Sequence, residues 1–498
     1  MKQFLIFSLT LVLVIGLLNG CTDSAPTGPV VGLGNATVTK YVSIGNSLTA
    51  GYQSNGLYAS AQMYSYPNLI AQQLRTAGAA LGSFEQPLYS DPGTPDPLTG
   101  KASRYEMISL VGPVIGPKGL APGAPTNSTL ARPYDNLGIP GIPLAGFMDT
   151  SGTYQSVPLG RDAILRWTTN AALGKSVFRQ VATLKAMGKA PDLVTFWLGA
   201  NDVLGFATSG GTSPNAPTPT ATFQYLYNQA LDTLRKTLPT AKIVVGNIPE
   251  VTAIPFFTTV NPLLAPSIPS VYYLRYQKHG TPGVSFDSTK LTEANAPLIT
   301  LKGKAYAALL GKSTGQFWRD AAASKGTTIA VLYPSIHAAG IDTTMPFGFH
   351  PQNPWPDALI LDAAEIASAT NAIRDFNGVI ASVASAKGAA LVNFNSFFNS
   401  IKANGLLAYG EEYTADYVTG DLFSLDGVHP SNRGYGIVAN EYIKVINASF
   451  GMNVPLVDLN TLPKLSAPLA KRANGTIDPV LPFEAFSSFD WLFSSSSR

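Results

Sequence analysis

Strand-like and helix-like stretches alternate along most of this chain, and that alternation limits its fold more than any other feature. Thr39 to Ile44 is a short apolar run that stops at a glycine. Ser176 to Met187 carries apolar residues at helical spacing and ends at Gly188; Asp192 to Leu198 (DLVTFWL) follows as a buried strand. Phe223 to Leu238 sets Leu226, Ala230, Leu234 and Leu238 on one stripe stopped by Pro239, and Lys242 to Val245 is the next strand. Periodicity predicts a long helix over Asp357 to Lys387, with Gly388 as its C-cap, then a strand over Ala390 to Phe394. A last helix starts after Pro430, capped by Ser431 or Asn432, and runs to about Ser449. This order predicts an α/β fold, a parallel sheet covered by helices on both faces. Sites in such sheets gather at the carboxyl ends of the strands.

The chain has 498 residues, 45% of them apolar, so a large core is available. Charged residues are 13% and the net charge is +3, with no long basic run. Nucleic acid is excluded as a partner, because phosphate binding needs clustered Lys and Arg. Leu81 to Pro133, Gly205 to Ala221, Val251 to Thr300 and Leu332 to Pro356 are rich in Pro, Gly and Thr and read as long insertions. Loops of that length are uncommon unless functional. There is no internal repeat.

The N-terminus has Lys2 followed by an apolar run from Phe4 to Leu18, 15 residues, short for a spanning helix and suited to an export signal. Residues 1–20 read as a signal peptide and 21–38 as a flexible tether. Leu18-Asn19-Gly20-Cys21 resembles the lipobox of bacterial lipoproteins, which implies that Cys21 is lipidated and anchors the chain to a membrane. Thr22 lacks the aspartate associated with inner-membrane retention, which points to the outer membrane; whether the chain would face the periplasm or the surface stays open. Cys21 is the only cysteine, so no internal disulfide forms.

Four stretches carry residues suited to chemistry: Gly45-Asn46-Ser47-Leu48, Asn136 to Gly141 (NLGIPG), Gly199 to Asp202 (GAND) and Asp426 to Pro430 (DGVHP). A serine hydroxyl is a weak nucleophile and needs a positioned base. Histidine is the usual one near neutral pH, and it needs a partner that fixes its tautomer. Asp426 and His429 are three apart, so a single turn can set the carboxylate against one ring nitrogen and leave the other free. Acyl transfer also needs donors for a developing oxyanion: the N–H of Ser47, a glycine N–H and an asparagine amide could supply three. Each fragment alone has a plainer reading. Ser47 could be a helix cap, Gly141 a turn, Asn201-Asp202 a helix N-cap, and Asp426 with His429 a surface turn or two metal ligands.

Taken together, the four stretches resemble the SGNH (GDSL) hydrolase superfamily over about residues 39–450. The resemblance implies a three-layer α/β/α, flavodoxin-like sandwich over 39–450; residues 451–498, irregular with scattered aromatics and a serine end, read as a tail packed on it. It implies a serine esterase or lipase, with Ser47 as nucleophile, His429 as base and Asp426 as its orienter. The oxyanion hole would be Ser47, Gly141 and Asn201. Gly246 to Phe257 (GNIPEVTAIPFF) also looks like the segment after a sheet strand in lipase-like members. Asn46 departs from the aspartate usual in the first block; the amide can still accept a hydrogen bond in the turn, but the local charge is lost.

No metal or cofactor is implied. The remaining histidines, His279, His337 and His350, lie in insertions without a metal-like partner. Gly311 to Gly315 (GKSTG) fits a nucleophile elbow, which requires a strand before it; a helical stretch precedes it instead, and it reads as a helix C-cap. Phe256, Phe257, Tyr272, Tyr273 and Tyr276 lie in one insertion and could line an acyl-binding cleft, act as a lid, or simply pack that insertion onto the domain. The substrate is a small-molecule or lipid ester, with a glycan O-acetyl ester as the rival within the class. A surface binding protein on a retired hydrolase scaffold is the reading from another class.

Overall fold

The computed structural model describes residues 30–109, 113–148, 176–212, 216–278, 286–465, 478–482 and 485. The expected signal peptide, Cys21 and most of the tether lie outside the described residues, as does His279. Five parallel strands form the central sheet: β1 (Tyr41–Gly45), β2 (Asn136–Gly138), β3 (Leu193–Trp197), β4 (Lys242–Gly246) and β5 (Ala390–Val392), in the spatial order β5-β4-β3-β1-β2. Strands β1 and β3 are buried throughout, which is why they read as near-continuous apolar runs, broken only by Ser43 and Thr195, whose hydroxyls hydrogen-bond to each other at 2.7 Å.

Because successive strand residues point to opposite faces, neighbouring aromatics on β3 serve different layers. Phe196 meets Tyr227 of α5 (Thr220–Thr237) at 5.7 Å between ring centroids. Trp197 meets Tyr66 of α2 (Tyr66–Thr76) at 5.8 Å and Tyr442 of α7 (Asn432–Phe450) at 6.1 Å. Further helices are α1 (Ser47–Ala50), α3 (Val177–Ala186), α4 (Asn201–Thr208) and α6 (Ala363–Ala386). Helix α6 joins α5 in one layer through Phe376 stacked on Phe223 at 4.0 Å. Tyr66 and Tyr442 stack at 4.9 Å to close the other layer. The result is an α/β fold with helices on both faces of a parallel sheet.

Several boundaries differ from the periodicity reading. Helix α6 begins at Ala363, not Asp357, because Asp362 and Glu365 form a capping box that starts it there. Residues 357–359 are a 3₁₀ turn, and Ile360–Leu361 pairs with Leu298–Ile299. Strand β5 stops at Val392 because Asn393 caps a further helix, Phe394–Asn404, accepting the Ser396 N–H at 3.1 Å. The long insertions are not bare loops. They carry the hairpins Tyr105–Ser109/Val114–Pro117 and Leu274–Gln277/Phe286–Thr289, and helix Ile329–Ala338 runs into the last of them. Among the described residues no helix is long and apolar enough to cross a membrane.

In the chain order of the strands the sheet reads 2-1-3-4-5. The chain leaves β1 to one side for β2 and returns to the other side for β3. That reversal opens a crevice beyond the carboxyl ends of β1 and β3, where open α/β sheets bind their ligands.

Candidate active site

Ser47 enters this crevice through a turn with no spare room. A Cβ on Gly45 would lie 2.1 Å from Thr49 Oγ1 and 2.6 Å from the Trp197 carbonyl, so only glycine lets β1 end against both. Asn46 then caps α1: its side-chain oxygen accepts the Leu48 N–H at 3.0 Å. The amide therefore fills the local acceptor role with no charge. Ser47 is the first residue of α1 and is buried.

His429 comes from the loop before α7. This loop folds back on itself, with the Ser424 N–H donating to the His429 carbonyl at 2.7 Å, the Gly427 N–H donating to the Ser424 carbonyl at 3.0 Å, and Gly427 at φ +71°. His429 Nε2 lies 2.9 Å from Ser47 Oγ, and His429 Nδ1 lies 3.0 Å from Asp426 Oδ2. The three residues are almost wholly buried, at 2%, 1% and 0% exposure for Ser47, His429 and Asp426, with Ser47 and His429 on the crevice wall. Asp426 Oδ1 accepts the N–H groups of Val428 and His429, each at 2.9 Å, and the Ser424 hydroxyl at 3.1 Å; Oδ2 also accepts the Asn55 N–H at 3.0 Å. Burial pushes this carboxyl up, but attraction to His429 and the hydrogen bonds from His429 and Asn55 outweigh it, and its pKa lies below the ordinary carboxylate value. The Tyr52 ring packs against the imidazole, 4.8 Å between centroids.

Asn201 is the first residue of α4, just past the end of β3. Its Nδ2 donates to the Ile142 carbonyl at 2.9 Å, while its Oδ1 is buried without a partner. Gly141, one residue before that carbonyl, is buried in the turn after β2 with φ +72°, a left-handed value suited to glycine. Asp202 holds the same two segments together, accepting the Leu144 N–H at 2.9 Å and the Thr218 hydroxyl at 2.9 Å. Burial raises its pKa to about 6.

The crevice at Ser47 and His429 is walled by Leu48, Trp197, Leu204, Val251, Ile254, Phe398, Leu422 and Phe423; Glu250 is the acidic residue on its rim. The insertion after β4 thus contributes Val251, Ala253 and Ile254 to the wall, not the aromatics considered from sequence. Phe256 and Phe257 are fully buried, Tyr276 is buried, and Tyr272 stacks on Phe349 at 5.1 Å with half its surface exposed; Tyr273 is likewise partly exposed. Those rings do not line this crevice. Gly311–Gly315 follows a 3₁₀ segment, Leu301–Leu309, and Ser313 is exposed, so no strand presents it. His350 accepts the Gln352 N–H at 3.2 Å and His337 packs on Tyr333. Among the described residues no group of His, Cys, Asp and Glu is placed to hold a metal ion.

Sequence reasoning missed Tyr52, Ser54, Asn55, Ser424 and the tie made by Asp202. Serine, asparagine and tyrosine carry no periodic signal. Two adjacent turn formers, Ser54-Asn55 before Gly56, were the visible hint.

The family model described as GDSL-like Lipase/Acylhydrolase matches residues 41–318, a stretch that contains Ser47, Gly141 and Asn201 and ends before Asp426 and His429. No curated protein matches the chain. Among solved structures, the lipase/acylhydrolase from Enterococcus faecalis is similar at 12% identity and TM-score 0.30, over 86% of this chain and 99% of that one. The extracellular lipase from Streptomyces rimosus is similar at 15% identity and TM-score 0.30, over 83% and 100%.

Proposed function

Because the chain belongs to the GDSL-like lipase/acylhydrolase family and is therefore a hydrolase of ester bonds, we propose that it is an exported, lipid-anchored serine esterase working through an acyl-enzyme on Ser47. The hydrogen-bonded line from Ser47 Oγ through His429 to Asp426 is the observation that supports this reading most. Ser47 Oγ attacks the ester carbonyl as His429 Nε2 takes its proton. Asp426 steadies the imidazolium and does not itself take the proton. The tetrahedral oxyanion sits against the N–H groups of Ser47 and Gly141 and the amide of Asn201. His429 then protonates the departing alcohol, and a water, activated by the same imidazole, releases the acid.

The apolar walls favour an aliphatic acyl group over a glycan acetyl ester, since a sugar needs hydroxyl partners that Leu, Val, Ile and Phe side chains lack. The folded unit is one hydrolase domain over 39–450, and anchoring rests on the lipobox-like run ending at Cys21. An acyl series of p-nitrophenyl esters from acetyl to palmitoyl, run on wild type and Ser47→Ala, tests the reading. Hydrolysis peaking above acetyl and abolished in Ser47→Ala is expected. Equal fluorophosphonate labelling of the two proteins overturns the nucleophile assignment. Loss of membrane association in Cys21→Ser is the matching result for the anchor.

A further inference from the structure

Gln53 and Gly56 exchange backbone hydrogen bonds of 3.1 Å and enclose a two-residue turn. Its central residues, Ser54 and Asn55, have φ of +49° and +61°. Side-chain-bearing residues rarely adopt that left-handed conformation, and it persists where the surroundings enforce it, often at functional sites. The surroundings here are dense. Asn55 accepts the Tyr52 hydroxyl at 3.2 Å and donates to the Ser103 carbonyl at 3.2 Å, while Ser103 Oγ donates back to the Asn55 carbonyl at 2.6 Å. Gln53 Nε2 donates to Asn432 Oδ1 at 2.8 Å, and the Tyr435 hydroxyl donates to the Tyr52 carbonyl at 2.6 Å, tying the turn to the first turn of α7.

The left-handed pair turns two successive backbone N–H groups towards Asp426, one bonding it directly and the other through Ser424, whereas an extended chain sends successive groups to opposite sides. The Asn55 N–H reaches Asp426 Oδ2 at 3.0 Å. The Ser54 N–H reaches Ser424 Oγ at 2.8 Å, and Ser424 passes its proton's hydrogen bond to Asp426 Oδ1 at 3.1 Å. The Leu425 N–H returns to Ser54 Oγ at 3.3 Å. The terminal torsion of an aspartate is broad and weakly held by its own rotamer preference. Its plane has to be set by donors on both oxygens.

We propose that the Gln53–Gly56 turn and Ser424 form a positioning element that fixes the plane of the Asp426 carboxylate, so that Oδ2 faces His429 Nδ1 and the imidazole presents Nε2 to Ser47. This rests on the esterase reading above. Neither Ser424 nor Asn55 lines the crevice; both act through Asp426.

Ser424→Ala and Ser424→Thr decide it. In Ser424→Ala, kcat falls about tenfold with KM unchanged, the scale of one lost hydrogen bond to a charged group, and Ser424→Thr regains most of it. The far-downfield proton resonance of His429 Nδ1–H broadens or shifts in Ser424→Ala and returns in Ser424→Thr. Asn55→Ala, which must hold positive φ with a Cβ and no side-chain amide, loses more kcat than Asn55→Gly. Wild-type kcat with an unmoved resonance in Ser424→Ala overturns the proposal. So does a loss of activity that only follows a lower melting temperature, with the resonance intact. A wild type that turns over no ester defeats the esterase reading instead, and the resonance still tests the positioning.

Discussion

The side-chain amide of Asn201 and the backbone carbonyl of Ile142 are joined by a 2.9 Å hydrogen bond, which clasps the end of β3 to the turn after β2. One amide hydrogen is spent on that clasp; Asn201 also lines the crevice, and on the proposed esterase reading its second amide hydrogen serves the oxyanion. The Asn201 side chain thus holds the turn after β2 in place, besides the oxyanion role proposed for it.

Asn201→Ala should therefore lower kcat by roughly 10²–10³, the range found when one oxyanion donor is removed from a serine hydrolase. KM changes little, because the donor matters most when the charge develops. Steady-state kinetics on a short-chain p-nitrophenyl ester reads this out, and circular dichroism checks that the fold remains. A loss of less than about threefold would remove Asn201 from the chemistry.

Asp426→Asn keeps the shape of the side chain and removes the charge. The amide can no longer hold His429 in the tautomer that leaves Nε2 free to take a proton, and kcat should fall by about three to four orders of magnitude. The pH dependence has a definite sign. The folded-state pKa of Asp426 is below its ordinary value of 3.8. Its contribution to stability is thus complete above about pH 4 and is lost as pH falls through the folded value. Melting temperatures measured from pH 7 to pH 3 should drop more steeply for wild type than for Asp426→Asn at the acid end.

Asp202 behaves the opposite way. Burial raises its pKa to about 6 from 3.8, so its ionised form is penalised in the folded state. The penalty is absent below about pH 4, grows as pH rises towards 6, and is complete above it. The shift of about two units corresponds to at most about 3 kcal/mol. In Asp202→Asn the oxygen can keep the Leu144 N–H and the NH₂ can donate to Thr218 Oγ1. The variant should match wild type at pH 4 and gain on it by pH 8, as followed by urea melts. A variant less stable than wild type at pH 8 would mean that the second carboxylate oxygen matters more than the charge.

How much of this was legible in the sequence depends on which force carries the signal. Strands β1, β3 and β4 are predominantly apolar runs, and α5 carries an apolar stripe, because burial writes itself into residue type at a fixed period. Ser47, Asn201 and His429 stand in short motifs at the ends of those elements. Their proximity in space was not written there: 382 positions separate Ser47 from His429. The start of α6 is marked by the Asp362–Glu365 spacing, a capping-box signal that the periodicity reading did not use. Ser424 was beyond reach, since it acts through a single hydroxyl that no pattern marks; Asn55 showed only as a turn former beside Ser54, which says nothing of its N–H reaching Asp426. The aromatics of the insertion after β4 were ambiguous because ring size looks the same in a core and in a cleft; Phe256 and Phe257 went to the core.

Gly45→Ala puts the close packing behind Ser47 to the test. The new methyl would meet Thr49 Oγ1 at 2.1 Å and the Trp197 carbonyl at 2.6 Å. Thr49 cannot simply rotate away, because its hydroxyl is buried and hydrogen-bonded to Tyr66 at 2.8 Å. The Trp197 carbonyl belongs to the neighbouring strand, paired in register with Gly45. Strand β1 must therefore shift, at a cost of about 1–3 kcal/mol or more for overpacking. Ser47, two residues on, shifts with it, and misplacing a reacting group by about 1 Å can cost 10²-fold in rate. The expected outcome is a lower melting temperature together with a drop in kcat far larger than the stability loss explains. Adding Thr49→Ala removes the hydroxyl clash and leaves the Cβ of residue 49 at 2.9 Å and the Trp197 carbonyl at 2.6 Å, so the double variant should recover only part of the stability and little of the rate. Full recovery of the rate in the double variant would assign the effect to Thr49 and free the Trp197 carbonyl from any part in placing the nucleophile.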